Sequence, residues 1–153
     1  MNADQVSKNL WVGGVPTNPH EVEKKFDALV LCAKEFQDVF PPHKHKTTEL
    51  ILAPMYDGKP TNVEKRRALK AAVDVRERLD RGKKVLVTCA AGVNRSALVA
   101  SMAMMMGEGE TAKSAVDKIR KKRKPVSGAT PLFNQHFVEF INEVWNAINN
   151  RKE

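Results

Sequence analysis

The sequence predicts an α/β fold with a mainly parallel central sheet flanked by helices, and three observations carry this. Lys84-Val85-Leu86-Val87-Thr88 is apolar and β-branched, the composition of a buried strand. A helix that is apolar almost all round, Arg95 to Met106, follows it after a short loop. Further helical segments with apolar faces alternate with short apolar runs such as Ala28 to Ala33, and that alternation places helices on the faces of a sheet. A length of 153 residues suits one domain, 1–153, with a core of useful size.

The elements follow in order. Pro19 to Phe26 reads as a short helix, and Pro41 to Lys46 as a loop. Thr61-Asn62-Val63-Glu64 has the spacing of a capping box. The helix it opens carries Ala68, Ala72, Val75 and Leu79 on one face, and Gly82 ends it. Gly107 and Gly109 end the apolar helix. Thr111 opens the next, with Ala112, Ala115, Val116 and Ile119 on one face. A last helix is expected from about Leu132 to Asn149, with Phe133, Phe137, Phe140, Val144 and Ile148 along a core stripe that Ile141 and Trp145 widen.

The loop between the Lys84–Thr88 strand and its helix holds the chemistry. It reads Cys89-Ala90-Ala91-Gly92-Val93-Asn94-Arg95-Ser96. A loop that folds around an anion aims successive N–H groups inward, and Gly92 permits the left-handed backbone this needs. The helix that follows adds free N–H groups and its positive dipole end. Arg95 offers a planar fork of donors that matches phosphate oxygens. Residues 90–95 are therefore the expected phosphate cradle, with Cys89 at its floor. That positive field favours the thiolate, the form that attacks. The hydroxyl of Ser96 is placed to donate to the sulfur and help it leave again.

Thiolate attack on a phosphate ester also needs an acid for the leaving oxygen and, later, a base for water. Asp57, in the polar segment Met55-Tyr56-Asp57-Gly58-Lys59-Pro60, is the leading candidate. Gly58 would let that segment close over substrate. Asp38 and Asp80 are weaker candidates. Chance would also produce a bare C-x5-R pattern, but the strand before it, the glycine inside it, the serine after it and the apolar helix behind it argue against accident.

At these residues the chain resembles the cysteine-dependent protein tyrosine phosphatases, above all the small atypical dual-specificity phosphatases. Their signature His-Cys-x-x-Gly-x-x-Arg-Ser/Thr is matched at Cys89, Gly92, Arg95 and Ser96. Asn9 to Gly14 looks like the family's first strand and Ala28 to Ala33 like its second. Lys113 to Val116 and Arg123-Lys124-Pro125 look like the helix and loop after the catalytic helix. Asp57 lies 32 residues before Cys89, as the family's general acid does. The resemblance implies a phosphatase fold of the dual-specificity type. It implies a cysteinyl-phosphate intermediate, no cofactor and no metal, and a phosphorylated protein or peptide as substrate.

Thr88 stands where the family has histidine. A threonine hydroxyl donates and accepts a bond but carries no charge, so the thiol is expected to react at higher pH than in the histidine form. Cys32 ends an apolar strand, where a free cysteine is ordinarily a small buried hydrophobe. The matching strand of related lipid phosphatases carries a cysteine that bonds the catalytic one after oxidation, which implies Cys32 as a redox partner of Cys89.

A formal net charge of +8 favours acidic partners and leaves nucleic acid open. Two cysteines suit a reducing compartment, and no secretory signal or run of eighteen apolar residues is seen, so a cytoplasmic protein without membrane insertion is expected. The run Arg120-Lys121-Lys122-Arg123-Lys124 reads as a solvated basic face at a helix end, with a nuclear-localisation patch or a substrate-drawing rim as alternatives. His43 and His45 are too few to hold a metal, and the sequon Asn94-Arg95-Ser96 lies inside the cradle. Competing functions are an RNA 5′-phosphatase, a phosphoinositide or glycan phosphatase, and a pseudophosphatase that binds without turnover. The loop lacks the lysines typical of lipid-directed relatives, and the retained Cys89 and Arg95 argue for turnover.

Overall fold

The computed structural model describes residues 1–38 and 48–150. Its centre is a five-stranded sheet in the order β1-β2-β5-β3-β4. The strands are β1 (Ala3–Ser7), β2 (Leu10–Gly13), β3 (Ala28–Ala33), β4 (Glu49–Met55) and β5 (Val85–Thr88). Only β1 is antiparallel to its neighbour; β2, β5, β3 and β4 run parallel. The helices are α1 (Pro19–Lys25), α2 (Asn62–Asp80), α3 (Arg95–Gly107), α4 (Ala112–Lys122) and α5 (Gln135–Asn150). The expected α/β architecture is therefore present. The loop expected at Pro41 to Lys46, with His43 and His45, lies outside the described residues.

Strand parity decides what faces what. Successive side chains of a strand point to opposite faces. On β3, Ala28, Val30 and Cys32 join the larger core with α2 to α5, while Leu29 and Leu31 turn to the other face. There a small cluster of Val22, Phe26, Leu29, Leu31 and Leu86 sits under α1, with Trp11 edge-on to Phe26 at 5.2 Å. On β5 the same alternation sends Val85, Val87 and then Cys89 toward the larger core. A one-residue slip of β5 would carry Cys89 to the wrong face.

The helix ends form as the local sequence dictates. Thr61 and Thr111 both cap with reciprocal side-chain and backbone bonds, to Glu64 and Ser114 respectively. Asn18 caps α1. Helix α3 is buried along nearly its whole length, including Leu98, Met102 and Met104, so its N-terminus is held rigidly under the sheet's carboxyl edge.

Three expectations need correction. Asn9 to Gly14 is not the first strand: β1 precedes it, and Asn9 itself takes φ 60° in the turn between them. The last helix begins at Gln135, not Leu132, because Leu132 also adopts φ 60°. Phe133 is consequently outside the helix and 58% exposed, not core. The basic run is not one solvated face: Arg123 is 1% exposed, while Lys121, Lys122 and Lys124 remain in solvent.

Candidate functional site

The loop from Cys89 to Asn94 runs from the end of β5 to the start of α3. Each of its last five carbonyls is taken by a partner outside the loop. Val15 N–H donates to Ala90 O at 3.2 Å and Leu132 N–H to Val93 O at 2.9 Å. Arg123 donates from Nη2 to Ala91 O at 3.1 Å and from Nε to Gly92 O at 2.9 Å. Leu98 N–H donates to Asn94 O at 2.8 Å. A peptide unit points its N–H opposite to its C=O, so outward carbonyls leave the N–H groups aimed inward. Among the described residues none of the N–H groups from Ala90 to Asn94 meets a protein acceptor.

Gly92 makes the curl at φ 69°. A side chain there would lie 2.4 Å from Arg123 Nη2 and 2.5 Å from the Gly13 carbonyl carbon. Both the backbone twist and the close approach of β2 therefore require glycine.

Cys89 is 4% exposed, and its sulfur lies 3.2 Å from the Ser96 hydroxyl. Arg95 is 6% exposed. Its Nη1 and Nη2 donate to the two carboxylate oxygens of Glu35 at 2.5 and 3.0 Å, and Nη1 also reaches Met55 O at 3.1 Å. Its Nε is buried without a hydrogen-bond partner among the described residues. An unpaired buried donor is costly and rare in a folded protein, and at this place it suits an anion. Burial works against the Arg95 charge, but the bond to Glu35 and the nearby Cys89 more than offset it, so its pKa is raised. Hydrogen bonding from Arg95 holds the Glu35 carboxyl below the usual carboxylate range.

Asp57 stands at this site. Asn94 Nδ2 donates to its Oδ2 and Asn134 Nδ2 to its Oδ1, each at 2.9 Å. Asp80 is elsewhere, exposed at the end of α2 and paired with Arg76. Asp38 is exposed, and no hydrogen bond or ion pair joins it to the loop among the described residues. Thr88 is 1% exposed, and its hydroxyl donates across the sheet to Val30 O at 2.8 Å. Cys32 is fully buried on the Cys89 side of the sheet, beside β5. Burial, then the neighbouring Cys89, pushes its thiol well up, against the pull of Arg95.

The sequence reading missed Glu35, Asn134 and the inward turn of Arg123. Arg123 bonds Asp4 Oδ2 at 3.0 Å and Asn2 Oδ1 at 2.8 Å as well as the loop carbonyls. One signal was available: Arg123 lies four residues after Ile119, on the buried face of α4.

An anion cradle around a cysteine at a strand–helix junction defines the cysteine-dependent phosphatases. The chain belongs to the dual specificity phosphatase catalytic-domain family, whose model matches residues 10–149. Among curated proteins none matches the chain by sequence. Solved structures share the fold. Tk-PTP in its active form is 22% identical with a TM-score of 0.79, covering 95% of this chain and 97% of its own. Human DUSP28 is 17% identical with a TM-score of 0.77, covering 97% of this chain and 96% of its own. PTPMT1 in complex with PI(5)P is 16% identical with a TM-score of 0.81, covering both chains fully. No helix of the described residues is long and apolar enough to cross a membrane.

Proposed function

We propose that this phosphatase hydrolyses phosphotyrosine in proteins or peptides, with phosphoserine and phosphothreonine as further substrates, through a cysteinyl-phosphate intermediate. The observation that carries the reading is the inward ring of N–H groups from Ala90 to Asn94, joined by the buried, unpartnered Nε of Arg95 in the same loop-to-helix junction as Cys89. Such fixed donors stabilise the charge on a transferring phosphoryl group without reorganising.

The Cys89 thiolate attacks phosphorus, and the bond from phosphorus to the ester oxygen breaks. Asp57 delivers a proton to that departing oxygen. Asp57 then accepts a proton from water as the water oxygen attacks the cysteinyl phosphate. The phosphorus–sulfur bond breaks, its electron pair returns to sulfur, and the Ser96 hydroxyl steadies that charge at 3.2 Å.

The rim supports an aryl substrate. Tyr56, Phe133 and Phe36 are exposed aromatics, and each adjoins in sequence a residue of the site: Asp57, Asn134 and Glu35 respectively. Exposed aromatic rings next to site residues offer faces on which an aryl group can pack.

The test is phosphate release from an aryl phosphate by wild type, Cys89→Ser and Asp57→Asn, followed by a substrate panel. Cys89→Ser should abolish turnover, and Asp57→Asn should lower it by about 10²-fold or more. Phosphotyrosine peptide should be preferred over a 5′-phosphorylated RNA and over vesicles carrying PI(5)P. Preference for RNA or lipid would overturn the substrate. Phosphopeptide binding without release, equal in wild type and Cys89→Ser, would make the protein a pseudophosphatase.

A further inference from the structure

We infer that Asn94 and Asn134 are positioning residues that hold Asp57 in its working place; this rests on the acid–base role proposed for Asp57. Each carboxylate oxygen takes one amide N–H, Oδ2 from Asn94 and Oδ1 from Asn134. The Asn134 amide nitrogen also donates to Gly58 O at 3.0 Å, so it grips backbone and carboxylate together.

The two asparagines are joined and anchored. Asn134 N–H donates to Asn94 Oδ1 at 3.0 Å. Asn94 is 1% exposed and sits in the anion loop at the start of α3. Asn134 is fixed by the start of α5: its side-chain oxygen accepts from His136 N–H at 3.0 Å, and its carbonyl from Phe137 N–H at 3.1 Å. Phe137 is fully buried. The carboxylate therefore hangs between two rigid carriers.

The neighbouring backbone is tied as well. Arg95 bonds Met55 O, and Glu64 accepts from Tyr56 N–H at 2.7 Å. Met55, Tyr56, Asp57 and Gly58 are thus each bonded to the rest of the protein. Two donors on one carboxyl also suit the chemistry. As Asp57 hands its proton to the departing oxygen it becomes a carboxylate, and both amide N–H groups then bond it more strongly and keep it in place.

The experiment compares wild type, Asn134→Ala, Asn134→Asp, Asp57→Asn and the double variant Asn134→Ala with Asp57→Asn. The substrates are phenyl phosphate, a poor leaving group, and 4-nitrophenyl phosphate, a better one. Asn134→Ala should lower kcat on phenyl phosphate on the order of ten- to a hundred-fold with KM little changed, and cost less on the nitrophenyl ester. In the Asp57→Asn background the same change should cost less than about twofold, because both act through one group. Asn134→Asp keeps an acceptor for His136 N–H, so it should fold; it sets a charge against Asp57 and should lose at least as much turnover. Equal cost with and without Asp57, equal cost on both esters, or wild-type turnover in a folded Asn134→Asp would each overturn the inference. If Cys89→Ser kills turnover but Asp57→Asn does not, the acid–base role itself falls and the inference with it. That result is distinct from one in which Asp57 matters and Asn134 does not.

Discussion

Arg123 donates from Nε to the carbonyl of Gly92 at 2.9 Å, from a position 31 residues further along the chain. Its remaining nitrogens reach Ala91, Asp4 and Asn2, so one buried guanidinium joins the anion loop to β1. A cation behind the loop holds the carbonyls outward and thereby keeps the N–H groups inward.

Removing that cation should therefore harm both fold and site. Arg123→Ala leaves the Ala91 and Gly92 carbonyls unpaired, while Asp4 keeps the Lys124 N–H, and it should cost about 1–3 kcal/mol for each orphaned carbonyl in urea unfolding. Arg123→Lys supplies a point charge in place of a fork and should recover only part of this. In both variants the thermal shift produced by added tungstate should shrink. An unchanged shift with Arg123→Ala would show that the loop holds its shape without Arg123.

Gly92→Ala meets two obstacles at once, a left-handed φ and the Gly13 backbone 2.5 Å away. The backbone term alone costs on the order of 1–3 kcal/mol. Turnover should fall below detection. Gly58→Ala meets nothing within 4 Å and should stay within about 0.5 kcal/mol of wild type. Parallel melting curves of the two variants check the contrast.

Glu35 should make stability depend on pH in one direction. Hydrogen bonding from Arg95 lowers its pKa from the ordinary 4.5, so folding favours the ionised carboxyl. The resulting stability is complete above the ordinary carboxylate range and is lost as pH falls through the lowered value. Glu35 is about half exposed, with 49% of its side chain in solvent, so the effect should stay below about 1 kcal/mol. Unfolding curves from about pH 6 to about pH 3 should fall more steeply for wild type than for Glu35→Gln. Parallel slopes would mean that the pair contributes nothing.

Thr88→His tests the chain's departure from the family signature. The present hydroxyl is spent on Val30 O and brings no charge to the loop. Histidine should lower the pH at which iodoacetate inactivates the protein. An unmoved inactivation profile would sink the idea.

Cys32 should trap oxidised Cys89. Register pairs Leu31 with Thr88, so the two cysteines follow that pair on adjacent strands. Burial pushes the Cys32 thiol well up and disfavours its thiolate, so first oxidation is expected at Cys89. Peroxide should convert Cys89 to the sulfenic acid, and Cys32 should displace water from it to form the disulfide. Mass measurement of the linked peptide checks this. Activity recovered on thiol treatment should be lost in Cys32→Ser; equal recovery would exclude a protective role.

What the sequence made legible was local. Cys89, Gly92, Arg95 and Ser96 lie within one loop and one helical turn, so their spacing carries their geometry. The capping boxes at Thr61 and Thr111 are equally short-ranged. Asp57 was found through chemistry and family spacing, and it does stand beside the loop. The partners that tune the site came from far away in the chain. Glu35 pairs across 60 residues, and nothing in Lys34-Glu35-Phe36 distinguishes it from a solvated carboxylate. Arg123 sits among five cations that look alike on paper, and only the rotation of α4 turns one of them inside. β1 escaped because just Val6 and Ser7 of its five residues are buried, which leaves no alternation to read. Phe133 misled because it falls in phase with Phe137, whereas the φ of Leu132 breaks the helix first.

The segment from Met55 to Gly58 is ordered as the chain folds, so its conformational entropy is lost then and not again at each encounter with substrate. A large phosphoprotein thus gains no advantage by spending remote contacts on loop ordering. A bare inorganic oxyanion meets the same prepared surface. On the proposed chemistry, the phosphate released in each cycle competes with the next substrate, and turnover slows as product accumulates.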